Sequence, residues 1–322
     1  MLNKLLKNKF FAFLKLVRIQ NLLIMFSTLL CMRYFVIEPV MQQTYFTADF
    51  FLILVASTVL IGAAGYIIND YFDVKTDIIN HPETVVIDKV IDRRMAMLLH
   101  LIFSGAGLLL GAWLAYKCYA LRLVLFQLIA ISLLWFYSTN FKKQLLTGNI
   151  VIGVLTGLIP LMPLAYELLR GVSVNADYFY QEPTRIKIAL IITLLYCGFA
   201  FSTSLIREIV KDMEDFKGDI QTGGKTMPIS WGITTTKAIC FFLIVMTLGI
   251  LGFSILKLWQ WEQKQASFYL VMTIFLPLLI LIIAVMKAKT PGHFKMASLL
   301  LKFIMLFGIA FTFLIKLMYE PH

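Results

Sequence analysis

FFLILVASTVLIGAAGYIINDYFDVKTD, residues 50–77, runs through residues 50–68 without a charged side chain and then meets three carboxylates, Asp70, Asp73 and Asp77. The apolar part has the length of a helix that crosses a bilayer, for which about 20 residues suffice. In hydrocarbon a chain must satisfy its own backbone hydrogen bonds, so a helix is the expected form. Alternation of apolar and polar residues, the mark of a membrane barrel, is absent.

The rest of the chain repeats this pattern. Its 322 residues are 60% hydrophobic and 15% charged, against about a quarter charged in soluble domains. Apolar runs predict about nine transmembrane helices, near 17–37, 50–68, 95–116, 119–138, 148–169, 186–205, 236–256, 267–286 and 295–317. The fold class is therefore all-α, a polytopic membrane protein, read as a single domain over 1–322. The opening MLNKLLKNKFFAFLKLVRIQNLL is basic and then apolar, but no small-x-small cleavage site follows, so it reads as a retained first helix. Cys31, Cys118, Cys197 and Cys240 form no C-x-x-C pair, and no metal or disulfide framework is expected from them.

The connections separate into two sides. Of the 29 Lys and Arg residues, nine fall on the side away from the N-terminus: Arg33, Lys117, Arg122, Arg170, Arg185, Lys187, Lys257, Lys264 and Lys316. The other twenty share the side of the N-terminus, which the positive-inside rule places in the cytosol. The expected location is the cytoplasmic membrane. The net charge of +11 suits anionic membrane lipid, and no nucleic acid partner is expected. Eleven of the 18 carboxylates lie in the two longest loops on that same side, and long loops in a compact protein tend to be functional.

The second of those loops carries DMEDFKGD, residues 212–219, with the spacing of the first repeated in Asp212, Asp215 and Asp219. Positions i, i+3 and i+7 share one helix face, so each motif predicts a stripe of carboxylates on a helix that continues its span. Such acids repel unless a cation sits among them. Mg2+ is the hard cation that binds through carboxylates plus substrate phosphates. Two facing stripes would hold Mg2+ and grip a diphosphate. A solvated acidic loop explains one such stripe; it explains two of identical spacing, both on one side and each ending a span, much less well. Lys75, Arg93, Arg94, Arg207, Lys211, Lys217 and Lys225 lie in the same loops and offer charge to offset a leaving diphosphate. Lys142, Lys143 and Asn149 sit in a third loop on that side, where they can reach diphosphate or acceptor. GGKTMP, residues 223–228, is placed to close over the site. Tyr66, Phe72, Tyr137, Phe141, Phe199 and Phe201 are candidates for shielding a carbocation. His81, His100, His293 and His322 are scattered and read as incidental.

NDYFDVKTD resembles the N-D-x-x-D-x-x-x-D motif of the UbiA superfamily of intramembrane prenyltransferases, and KDMEDFKGD, residues 211–219, resembles its second aspartate-rich motif. The resemblance implies a helical bundle around a central cavity opening to cytosolic loop caps. It implies Mg2+ and transfer of a prenyl group from a prenyl diphosphate, geranylgeranyl or longer, to a lipophilic or glycerophosphate acceptor. By the same resemblance, Asn69, Asp70, Asp73 and Asp77 bind the metal from one side, and Asp212, Asp215 and Asp219 from the other. Many relatives continue the first motif as N-x-P-x-R-P. This chain reads NHPETVV, residues 80–86, with Thr84 and Val85 in place of Arg and Pro, so Arg93 or Arg94 is the expected substitute. SLIREIVKDMEDFKGDIQTGGKTMPI, residues 204–229, resembles the branch that makes digeranylgeranylglyceryl phosphate. An aromatic prenyltransferase of quinone or haem biosynthesis is the alternative. A transporter would carry its acids near the bilayer midplane on broken helices, not at span ends. A CDP-alcohol phosphotransferase would need D-G-x-x-A-R, which is missing.

Overall fold

The computed structural model describes residues 8–319; the start of the basic lead and His322 lie outside the described residues. Among the described residues the fold is helical, with one isolated bridge, Ile87 to Ile91, and no named strand. Eight helices are long and apolar enough to cross a membrane: α2 Ile19–Met41, α3 Ala48–Asn80, α4 Arg93–Lys117, α5 Leu121–Thr139, α8 Pro183–Glu214, α10 Ile233–Gln260, α11 Lys264–Lys287 and α12 Pro291–Tyr319. Helices α6, Thr147–Leu158, and α7, Leu161–Val174, are a pair bent by 48° at the break, apolar enough together to count as a ninth span. The short helices α1, Lys9–Leu16, and α9, Phe216–Gln221, lie at the edge of the bundle. The chain is a multi-pass membrane protein.

Proline accounts for the irregular turns. The expected single helix over 148–169 breaks at Pro160, which has no N–H to donate and crowds the preceding turn. Two other spans widen to π-helical turns, at Met32–Ile37 and Val271–Phe275. Each widening lies just before a proline, Pro39 or Pro277, where a lost backbone donor releases the ladder.

Helix α3 packs against α4, α5 and α2, while α8 packs against α6, α12 and α10. The closest approaches occur at small residues. A Cβ on Gly107 would stand 2.7 Å from Ile61 and 3.0 Å from the Ser57 carbonyl, and the Ser57 hydroxyl donates to the Gly107 carbonyl at 2.7 Å. Gly153 and Gly157 receive Phe201 in the same manner. This is the close backbone packing on which membrane helices rely when hydrophobicity no longer separates helix from lipid. At the end of the bundle away from the acidic motifs, buried Glu167 accepts the N–H groups of Tyr45 and Phe46 at 2.9 and 3.0 Å and the Tyr178 hydroxyl at 3.2 Å. That carboxylate ties the α2–α3 connection to α7 and the segment before α8.

Candidate active site

Both acidic motifs meet at one end of the bundle. Helix α3 runs on past Asn69 to Asn80, so Asp70, Asp73 and Asp77 do share one helix. The second motif differs from expectation. Helix α8 ends at Glu214, Asp215 caps it, and α9 restarts at Phe216, so Asp212 and Asp219 stand on two helices. Asn80 sits at the break. Its side-chain amide donates to the Asp215 carbonyl at 3.0 Å and accepts the Gly218 N–H at 2.9 Å. The Asp215 carbonyl also accepts the Gly218 and Asp219 N–H groups at 3.1 Å, so Asn80 adds bonds to the end of the first motif at this turn. Only glycine fits there, because a Cβ on Gly218 would lie 2.5 Å from the Asn80 amide nitrogen.

Most of the motif carboxylates have a partner. Arg18 pairs with Asp70 at 2.7 Å, Lys142 with Asp73, and Asn149 donates to Asp212 at 2.7 Å. His81 bonds Asp215 at 2.9 Å and stands 4.0 Å from Glu214. His81 is therefore part of the acidic face and not incidental; the Asp215 hydrogen bond raises its pKa despite partial burial. Burial drives Asp215 up, but the bond from His81 and the charge of Lys211 outweigh it, and the group ends below its usual range. Asp219 goes the other way: burial, with the charges of Asp215 and Asp73 nearby, pushes it up to about 6 against the pull of Lys142. Asp73, Thr76, Lys142, Lys143 and Asp219 border one narrow gap between the two motifs.

Beneath this face lies a cavity of about 260 Å³. Its walls are mostly apolar and aromatic, with Tyr66, Leu134, Tyr137, Ile152, Tyr196 and Phe199 among them. Its charged lining is Arg18, Lys142, Arg207, Lys211, Lys302 and one carboxylate, Glu208. Arg207 and Lys211 reach Glu208 at 3.0 and 3.7 Å.

Comparison with known proteins adds to this geometry. The UbiA prenyltransferase family matches residues 24–307. The chain belongs to that family. Digeranylgeranylglyceryl phosphate synthase of Thermococcus gammatolerans is 35% identical over 197 residues, 61% of this chain and 62% of that one. The chain thus spans less than two thirds of that relative's length. A solved UbiA homolog from Aeropyrum pernix superposes with a TM-score of 0.62 at 15% identity, over 89% of this chain and 97% of that one. A UbiA homolog from Archaeoglobus fulgidus bound to DMAPP and Mg2+ gives 0.58 at 17% identity, over 95% and 99%.

In this UbiA chain the residues anticipated from sequence distribute unevenly. Asn69, Lys142, Arg207 and Lys211 line the cavity, and Asn149 supports Asp212. Lys143 borders the gap, and its backbone carbonyl accepts the Lys225 N–H at 2.8 Å, while the Lys225 side chain is exposed. Lys75 and Arg94 are exposed and lie off the cavity lining. Arg93 is turned outward too, pairing with Asp88 at 3.5 Å and lying over the Tyr71 ring. Neither Arg93 nor Arg94 lines the cavity, whereas Arg18, which the sequence reading passed over, does. Of the aromatic candidates, Tyr66, Tyr137 and Phe199 line the cavity, whereas Phe201 fills the space at Gly153 and Gly157, and Phe72 and Phe141 pack on Trp135 and Phe136. Glu208 and Lys302 were also missed. Lys302 had a readable signal, being a lone charge deep in an apolar span, where an ionisable group points to function.

Among the described residues, no three acidic, His or Cys side chains stand close enough together to hold a metal ion. The donor chemistry nevertheless fits Mg2+: hard oxygen ligands on two facing elements, with Asp219 raised to about 6 chiefly by burial and then by Asp215 and Asp73.

Proposed function

We propose that this chain is an Mg2+-dependent prenyltransferase that moves a prenyl group from a prenyl diphosphate to the hydroxyl of a glycerol phosphate ether lipid. One observation carries the reading: two acidic motifs face each other across the mouth of an apolar, cation-rich cavity. Family membership, the activity that names the Thermococcus relative, and the DMAPP and Mg2+ bound by the Archaeoglobus homolog support it. In this reading Asn69, Asp70, Asp73, Asp77, Asp212, Asp215 and Asp219 hold Mg2+, which when bound neutralises diphosphate charge and eases its departure. Arg18, Lys142 and Lys143 bind the diphosphate oxygens. The apolar wall takes the prenyl chain and keeps water from the allylic cation. Tyr66, Tyr137 and Phe199 present ring faces to that cation.

The balance is simple. The C1–O bond to diphosphate breaks with both electrons leaving on oxygen, and the acceptor oxygen then bonds C1. Glu208, the one carboxylate lining the cavity, receives the hydroxyl proton. The acidic face opens to the cytosol, where Mg2+ and prenyl diphosphates are soluble, and residues 1–322 act as one transmembrane unit. The test is a donor and acceptor matrix on purified enzyme, read by mass spectrometry. Ether product from geranylgeranylglyceryl phosphate, and none from hydroxybenzoate or dihydroxynaphthoate, is the expected result. Prenylated aromatic product alone would assign the alternative branch.

A further inference from the structure

The cavity carries more positive charge than the diphosphate face uses. Arg18 and Lys142 are engaged by Asp70 and Asp73 at that face. Arg207 and Lys211 share a single carboxylate, Glu208. Lys302, from the neighbouring helix α12, lines the same cavity and pairs with no carboxylate among the described residues. Arg18, Arg207 and Lys211 line the same cavity, and Glu208 is the one carboxylate in that lining. Cations gathered in a poorly solvated cavity repel one another, and buried charge is stable only when paired. The surplus is therefore a binding site awaiting an anion.

Arg207 lies five residues, about 8 Å, before Asp212 on α8, with Lys211 between them, so that anion sits directly beneath the donor's diphosphate. Lys302 lies about 16 Å along α12 from Pro291 at the motif end, at 1.5 Å per residue. Met305 and Ile309 continue the cavity wall one and two turns further on, and Phe199 faces them from α8. An amphiphile with its anionic head at Lys302 would run its tail along these residues. Its nearby hydroxyl would meet Glu208 on the α8 wall.

Resting on the prenyltransferase reading above, we propose that Lys302, with Arg207 and Lys211, binds the phosphate of the acceptor. These three residues select a phosphorylated glycerolipid over its neutral alcohol. The aspartate motifs hold the donor and are indifferent to the acceptor head. A lysine ammonium and a guanidinium together suit a phosphomonoester, the first as a compact charge and the second as a donor fork.

Binding without turnover tests the pocket separately from the reaction. Purified full-chain protein in nanodiscs, without donor, is titrated with a short-chain glycerol phosphate ether lipid and with its dephosphorylated alcohol. The wild type is expected to prefer the phosphate form by roughly tenfold or more, the scale of one charge-assisted contact. Lys302→Met removes that preference and Lys302→Arg retains most of it, while prenyl diphosphate binding with Mg2+ is unchanged in both. Lys211→Gln weakens phosphate-lipid binding independently, should Lys302→Met not fold. Equal affinity of the wild type for both lipids overturns the proposal, and so does a matching loss of prenyl diphosphate binding in Lys302→Met. Selective binding of the phosphate lipid with no prenylation of it leaves the pocket standing and refutes the proposed reaction.

Discussion

At Asp73 the sequence and the structure give the same residue two kinds of partner. Lys142 holds it in the structure, and the Mg2+ reading gives it a metal. Both answer the same need, since a carboxylate buried beside Asp77 and Asp219 is unstable alone. Asp73→Asn and Asp215→Asn each remove one anionic oxygen set from the clamp. Each is expected to lower kcat about 10²- to 10³-fold, the scale of losing one preorganised electrostatic contact in the transition state, while the protein still inserts and melts cooperatively. Full turnover by both variants with labelled prenyl diphosphate would remove these residues from the mechanism. EDTA is expected to stop the wild type and Mg2+ to restore it, and a rate indifferent to both would do the same to the metal. Arg18→Gln leaves Asp70 without its 2.7 Å partner. It is expected to raise the donor KM roughly tenfold, measured with the acceptor saturating. The aspartates were legible as a cluster because two motifs of one spacing, each ending an apolar run, fall at the same end of the bundle. Arg18 and His81 were not, because their roles come from residues distant in sequence: Arg18 turns inward through a left-handed residue, φ 50°, between α1 and α2, and His81 finds Asp215 across the mouth.

Helices α3 and α8 were legible as elements because each joins a long uncharged run to an acidic tail. Their ends were less so. The i, i+3, i+7 spacing predicts one helix through Asp219, but α8 ends at Glu214, and at the break Asn80 bonds the Gly218 N–H and the Asp215 carbonyl. Local periodicity does not carry through here, and no pattern within residues 212–219 announces the break. The coupling is measurable. Asn80→Ala removes two hydrogen bonds to the second motif and is expected to cost about 1–3 kcal/mol of stability. Gly218→Ala places a Cβ against the Asn80 amide and is expected to be destabilising by a similar amount. The double variant is expected to be no less stable than Asn80→Ala, since the obstructing side chain is gone. Thermal unfolding of the three variants in detergent reads this as a non-additive cycle; simple addition would mean that the two motifs are not joined at this point. The break in the fifth span has a plainer origin. Pro160 stood in the sequence, but proline is tolerated within many membrane helices, so its presence alone did not separate a kink from a 48° bend.

Across the whole molecule, the number and order of spans followed from apolar run length, while the cavity did not, because side chains from α2, α3, α5, α6, α8 and α12 build it together. What remains is which end of the bundle meets the cytosol. The two motifs, Lys143 and the Lys225 loop meet at one end through the Thr76–Thr222 bond at 3.2 Å and the Lys225 N–H to the Lys143 carbonyl. Twenty of the 29 basic residues fall on that side by sequence, which predicts its cytosolic placement. Site-directed cysteines test this with little background, since Cys118 and Cys240 are buried and Cys31 and Cys197 partly so. Lys75→Cys and Lys225→Cys lie at the acidic end, and Tyr180→Cys at the opposite end, where the tyrosine is 85% exposed. A membrane-impermeant maleimide is expected to label only Tyr180→Cys in intact cells, and the other two only in inside-out vesicles. The reversed pattern would place the carboxylates away from cytosolic Mg2+ and prenyl diphosphate, and the proposed reaction would then lack access to its donor.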